Sequence, residues 1–364
     1  MRILHLYRPR VPATRAQSVQ VVHTCHALAR RGHTVTLLGD RADVAAAGAA
    51  GLAAGADPGD PTAALRAYGL DHPEGLDLRI APVVWAPGAG WWFRWQVRRW
   101  EGDVVYARAK RYVARIPTRV PVVIEAHEVD SALARERGEN PAAMLRLEAA
   151  VYRRAAGVVA NCGGTLALLE ATHTLPSRRV VIHNATRADR ALLSTGGAPA
   201  PAASPVVGYT GSPRAYKGLA TVLASLPSWP AGARLELVGG APEGAVLPPN
   251  VTALPPVAYG ALPAHLARYH ALLLPLDDNL FGRALTSPLK LWDYLATGIP
   301  IVAADLPTTR EIGGDTLHYY PPGDPSGLAA AVARALVAPR PAPRLRTWDD
   351  RAAEIERFLH ECLR

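Results

Sequence analysis

One sixteen-residue stretch constrains this chain more than any other. Residues 287–302 read SPLKLWDYLATGIPIV. Pro288 suits the first helical position, where the backbone needs no donor, and Ser287 then falls at the N-cap. Gly298 followed by Pro300 ends the helix, and Ile299, Ile301 and Val302 open a buried strand. Such a helix start presents free N–H groups at the positive end of its dipole, which suits a phosphate. Asp293 lies about a turn and a half further in, within reach of a sugar hydroxyl on the same ligand. The pattern equally fits an ordinary strand–helix repeat, so the rest of the chain has to decide.

The first half alternates apolar strands with helices. Residues 2–7 form a strand, Ser18 caps a helix through Ala29, Gly32 ends it, and 34–39 form the next strand. This βαβ unit lacks G-x-G-x-x-G in its first turn, which argues against a dinucleotide site there. Residues 45–60, rich in Ala and Gly, read as a surface loop or a poorly packed helix. A strand over 76–84 precedes Trp85 and the run WWFRWQVRRW at 91–100. This segment reads either as a helix whose aromatics pack while its arginines face water, or as an interfacial or acceptor-binding element. The strand at 103–106 delivers Arg108 to its carboxyl end, and the strand at 120–126 delivers His127 and Glu128. Ligands of open α/β sheets sit beyond those ends, so these three are site candidates, although a lone histidine there is as often structural. Another strand ends at His183-Asn184.

Residues 192–205, mostly Gly, Ala, Pro and Ser, read as a linker. A second α/β domain then opens with the strand 206–211. Its turn carries Gly211, Ser212, Arg214 and Lys217-Gly218 ahead of a helix. Glycine lets the backbone approach a diphosphate, and the cations neutralise it. The alternation continues to one amphipathic closing helix from Trp348, with Ala352, Ile355, Phe358 and Leu359 on its apolar side.

The chain has 364 residues, which favours two domains, and its formal charge of +9 comes mostly from arginine. That balance suits acidic ligands, nucleic acid or an anionic membrane surface. A nucleic-acid-binding protein is the rival from another class, but only the segment 91–111 mixes basic and aromatic residues as that function needs. Cys25, Cys162 and Cys362 have no metal-ligand spacing and read as free thiols. With no signal sequence read at the start and no apolar run of eighteen residues, the expected location is cytoplasmic.

Taken together, the Gly211 loop with Lys217-Gly218, the Pro-Val-Ala-Tyr-Gly turn ending in Tyr259-Gly260, SPLKLWDYLATGIPIV and Pro322-Gly323-Asp324-Pro325 resemble the retaining glycosyltransferases of the GT-B fold, family four. The resemblance covers nearly the whole length and is densest over 206–330. Val181-Ile182-His183-Asn184 looks like the family's segment ending in Asn-Gly, and His127 like its cleft histidine. Three departures stand out. Leu285 occupies the place of the first of two glutamates, with Asp293 at the second. Arg214 is displaced by two from the usual Gly-Arg pair. Ala16-Gln17-Ser18 replaces the glycine-rich first loop.

The resemblance implies two Rossmann-like α/β domains facing across a cleft: an acceptor domain over 1–191, a nucleotide-sugar domain over 206–345, and a closing helix over 346–364 that returns to the first. It implies transfer of a sugar from a UDP- or GDP-linked donor to a hydroxyl of a small molecule, glycan or lipid-linked acceptor, with retention and without metal or cofactor. Lys217, Arg214 and His127 are the implied catalytic residues. Gly211, Ser212, Lys217, Tyr259, Ser287, Pro288, Leu289, Lys290 and Asp293 are the implied donor contacts. Arg108, Glu128, Trp92, Trp95 and Asn184 are the acceptor contacts, with peripheral membrane contact the lesser role for the tryptophans. A GT-B relative that only binds nucleotide is the alternative within the same fold.

Overall fold

The computed structural model describes residues 1–82, 86–116, 119–187 and 204–364. Most of the expected linker, together with Trp85 and the end of the strand expected over 76–84, lies outside the described residues. The chain divides into two compact units. The first comprises Met1–His183, Ala258–Gly260 and Trp348–Arg364, and the second Asn184–Val257 and Ala261–Thr347.

The first unit is built on β1 (Arg2–Leu6), β2 (Arg10–Val11), β3 (Thr34–Arg41), β4 (Leu76–Ile80), β5 (Val104–Ala107), β6 (Val122–Ala126), β7 (Gly157–Ala160) and β8 (Arg179–Val181). All pairings are parallel, in the order β2-β3-β1-β5-β6-β7-β8, with β4 also on β3. Every residue of β5, β6 and β7 is buried. Continuous apolar runs such as Val104-Val105-Tyr106 are the mark of a parallel sheet covered on both faces. The helix Ala16–Arg30 begins two residues earlier than Ser18, behind Arg15, whose carbonyl accepts from Ser18 and Val19. Ser18 is therefore a buried first-turn residue and not the cap. Within 45–60 the chain forms the short helix Val44–Ala49 and then turns.

The closing helix Trp348–Leu363 buries Ala352, Ile355, Phe358 and Leu359 within this unit, alongside Ala16–Arg30. Buried leucine or phenylalanine positions of this kind typically cost about 2–5 kcal/mol on truncation to alanine.

The second unit carries β9 (Val206–Thr210), β10 (Arg234–Val238), β11 (Val251–Leu254), β12 (Ala271–Leu274), β13 (Ile301–Ala304) and β14 (His318–Tyr320). They form a parallel sheet in the order β11-β10-β9-β12-β13-β14. The chain leaves β9 toward β10 and β11, then returns to the other flank of β9 with β12. That reversal creates a switch point beyond the carboxyl ends of β9 and β12, where open α/β sheets bind ligands. The first sheet reverses in the same way between β3 and β5, on either side of β1. No helix among the described residues is long and apolar enough to cross a membrane.

Candidate active site

At the switch point of the second sheet, β9 runs into Gly211 and then a single 3-10 turn at Ala215–Lys217. Gly218 follows with φ +65, and a Cβ there would lie 2.0 Å from the carbonyl oxygen of Pro275. Only glycine permits this approach, which seats Lys217 beside the end of β12. A Cβ on Gly239 would lie 2.4 Å from the Gly211 carbonyl, so the loops after β9 and β10 meet backbone to backbone.

The helix Leu289–Leu295 is tied to the same place. The Tyr294 hydroxyl accepts from the backbone N–H of Thr210 at 3.0 Å. That tether sets Lys290 over the Tyr209 ring, with Nζ 3.8 Å from its centroid. Lys290 Nζ is buried and has no hydrogen-bond partner among the described residues. Burial first, then the neighbouring Lys217, pushes the Lys290 ammonium well below the ordinary lysine value. Lys217 itself is pushed down to about 8, by burial and then by Arg214. Its Nζ lies 4.9 Å from the centroid of Tyr216 and 5.2 Å from that of Phe281. Two adjoining amines are thus held against aromatic faces, which offer weak attraction compared with an anion.

Gly211, Ser212 and Arg214 are exposed around this pair, and Leu289 is half-buried. Other expected donor contacts have partners within the protein. The helix cap is Pro288, and it makes no side-chain capping bond. Ser287 is buried, and its Oγ accepts from the backbone N–H of Asn184 at 3.1 Å. Asn184 Nδ2 donates to the Ser287 carbonyl at 2.6 Å. Asn184, expected to meet an acceptor, therefore belongs to the second unit and buckles its first residues onto the 287–290 loop. Asp293 is only 2% exposed and accepts from the Thr186 hydroxyl. Leu285, where the family often carries a glutamate, is core. Tyr259 falls in the first unit, edge-on to His23 with ring centroids 5.3 Å apart.

In the first unit, Arg108 leaves β5 and His127 leaves β6, both at the carboxyl edge near the switch point. Arg108 lies over the Tyr7 ring at 5.1 Å, and its Nη1 donates to Gln20 Oε1 at 2.5 Å. His127 Nε2 lies 2.9 Å from Glu125 Oε1. Glu128 is exposed and offers its backbone carbonyl to Lys110. Glu125, Gln20 and Arg351 were not singled out from the sequence. The available signal was a carboxylate inside the apolar strand Val-Val-Ile-Glu-Ala, a place where charge is rare unless paired.

The helix Ala86–Arg99 buries Ala89, Phe93 and Val97 along one face. Trp91, Arg94, Trp95 and Arg98 share the opposite, exposed face, with Trp91 at 71% and Trp95 at 46% exposure. Arg99 lies over the Trp95 ring at 5.2 Å. Trp92 is half-buried, and Trp100 donates from Nε1 to Thr36 Oγ1 at 3.3 Å. The segment is both packed and outward-facing.

The sequence model of Glycosyltransferase Family 4 matches residues 17–190, and that of Glycosyl transferases group 1 matches residues 204–337. The chain belongs to the group 1, family 4 glycosyltransferases. Solved structures agree in fold across the full length. Sucrose-phosphate synthase from Thermosynechococcus elongatus superposes with a TM-score of 0.73 at 16% identity, covering 99% of each chain. HepE of Anabaena, in complex with UDP and glucose, gives 0.64 at 17% identity over 98% of this chain and 95% of that one. The likeness identifies the two parallel-sheet units as those of a GT-B glycosyltransferase. No curated protein matches the sequence at a significant level.

Proposed function

We propose that this glycosyltransferase moves a sugar from a UDP- or GDP-linked donor to an acceptor hydroxyl, with retention at the anomeric carbon and with no separate cofactor. The observation that carries the reading is Lys290, a buried amine beside Lys217 with no hydrogen-bond partner among the described residues. A diphosphate supplies the missing countercharge. The UDP held by the structurally similar HepE supports a nucleoside diphosphate as the ligand class.

In this reading the second unit holds the donor, with the diphosphate against Lys217, Lys290 and Arg214 and the loop amides near Gly211 and Ser212. The bond from the anomeric carbon to the diphosphate oxygen breaks as the acceptor oxygen bonds to that carbon, on the same face. The acceptor proton passes to the departing phosphate oxygen. Negative charge grows on that oxygen in the transition state, and preorganised cations stabilise it without reorganising. In the first unit, His127 contacts a sugar hydroxyl, and Arg108, Trp92 and Trp95 border the acceptor.

The test is calorimetric titration with UDP, GDP, ADP and TDP, followed by product analysis with the corresponding nucleotide sugars. Retention predicts an axial-to-axial or equatorial-to-equatorial anomeric coupling between donor and product by NMR. Failure of all four nucleotides to bind sinks the donor assignment, and an inverted anomeric coupling sinks retention.

A further inference from the structure

Glu125 is a hub inside the first unit. Its Oε1 alone receives Gln20 Nε2 at 2.9 Å, His127 Nε2 at 2.9 Å and Arg351 Nη2. Arg351 comes from the closing helix, 226 residues away, and is itself 1% exposed. It also donates Nη1 to Thr24 Oγ1 at 2.7 Å and Nε to the His183 carbonyl at 3.1 Å. Through Gln20 the same hub reaches Arg108. Arg108 and His127, at the carboxyl edge of this sheet, therefore hang from one buried carboxylate. Stability alone does not account for the arrangement, because well-packed apolar side chains often replace a buried ion pair at no loss.

We propose that Glu125, locked by Arg351, is a positioning residue that fixes His127 as its Nε2–H tautomer and leaves Nδ1 as a hydrogen-bond acceptor for a sugar hydroxyl. An ionised carboxylate only accepts, so the ring nitrogen facing it must carry the proton. The other nitrogen of a neutral imidazole then holds a lone pair. His127 makes no second hydrogen bond among the described residues, and its side chain keeps 11% exposure. Burial works to raise the Glu125 carboxyl, but Arg351 and then His127 overcome it and hold it well below the ordinary range. Burial, then Arg108, pushes His127 down to about 4, so the ring is neutral near pH 7. A hydroxyl donating to Nδ1 is oriented with its oxygen lone pairs free for other partners. The identity of that hydroxyl rests on the glycosyltransferase reading; the tautomer does not.

The experiment is a long-range 1H–15N correlation on full-length protein labelled at histidine, with His127→Gln used to assign the resonance. At pH 7 the wild type should show a protonated, pyrrole-type Nε2 and a bare, pyridine-type Nδ1. An Nδ1–H tautomer, or an imidazolium, overturns the proposal without touching the transferase reading. The pair variant Glu125→Gln with Arg351→Met removes both charges together, so that no ion is left buried alone. It should show a mixture of His127 tautomers and a turnover lower by about tenfold, the scale of one hydrogen bond, with nucleotide affinity unchanged. A pure Nε2–H signal in that variant also overturns the role of Glu125. Should the pair variant not fold, the wild-type spectrum still decides the tautomer. The expected tautomer in a protein that transfers no sugar would leave the inference standing and remove the functional reading.

Discussion

The Thr186 hydroxyl donates to Oδ1 of Asp293 across 107 residues of sequence, inside the second unit. Two bonds between Asn184 and Ser287 lie at the same junction. The segment entering the unit is thus fastened to the helix that carries Lys290, and Asp293, expected from the sequence to reach a sugar hydroxyl of the donor, serves as a fastening.

The fastening by Asp293 and the expected contact of its carboxylate with the donor ribose should separate by mutation. Thr186→Val should lower the melting temperature and leave nucleotide affinity unchanged, because it removes only the internal donor. Asp293→Ala should lower both. Calorimetry on a folded Asp293→Ala protein that returned the parental nucleotide affinity would remove the ribose role.

For the lysine pair the expectation has two signs. Lys217→Ala should lower turnover by about 100- to 1000-fold, as loss of one oxyanion-type donor does. Lys290→Met should do the same to turnover, yet raise the stability of the ligand-free protein. A buried polar group without a partner costs about 1–3 kcal/mol, and methionine relieves that cost. A ligand-free Lys290→Met protein less stable than the parent contradicts this account of the amine.

Binding of the diphosphate should take up protons. Lys217 has a folded pKa of about 8 against an ordinary 10.5. Between those values the unfolded chain holds a proton the folded protein lacks, so the ligand-free fold gains stability as pH rises through that window and loses it as pH falls through about 8. An anion favours the protonated amine, so affinity for UDP should weaken as pH rises above about 8. Titrations in two buffers of different ionisation heat measure the uptake directly. Equal apparent enthalpies in both buffers would rule it out.

The hub in the first unit carries an acid limit. Burial pushes both His5 and His127 down to about 4 from 6.5. The unfolded chain binds more protons between those values, so stability should fall as pH drops from about 6.5 to 4. The groups facing His5 are Glu125, Arg108, Arg351, His127 and the Tyr106 ring. His5→Phe should make the decline shallower in a melting series across that range. A variant as acid-sensitive as the parent would place the loss elsewhere.

On the exposed helix face, Trp92→Ala with Trp95→Ala should raise the acceptor Michaelis constant while nucleotide affinity holds. Trp95→Ala alone should hardly change the melting temperature, since that ring is half in solvent. Reduced nucleotide binding with unchanged acceptor dependence would return the segment to simple packing.

Local pattern carried much of the architecture. The strand at 206–211, the apolar side of the closing helix and the turn ending in Lys217-Gly218 are all visible because periodicity and glycine act within a few residues. What escaped depends on distance along the chain. Nothing near Arg351 signals Glu125, and nothing near Tyr259 signals His23. Ser287 and Ser18 each look like helix caps in a short window. Tertiary partners decide otherwise, with Asn184 taking the first hydroxyl and the Arg15 carbonyl starting the other helix earlier. Along 91–100 the composition showed tryptophan and arginine together, but only the burial of Phe93 and Val97 says which way each side chain faces.

The chain has thirty-seven arginines and three lysines. Two of those lysines are the pair at Tyr209 and Phe281. An arginine in either place would bring a permanent charge into a buried setting, because guanidinium does not shed its proton in proteins. A lysine can. The two amines can therefore exchange a proton with solvent: Lys217, at about 8, holds its charge near neutral pH and sheds it as pH rises, Lys290 is pushed down in the same sense, and a bound anion would draw both back to the charged form. A swap of Lys290 for arginine would keep the formal charge of the sequence and lose that reversibility.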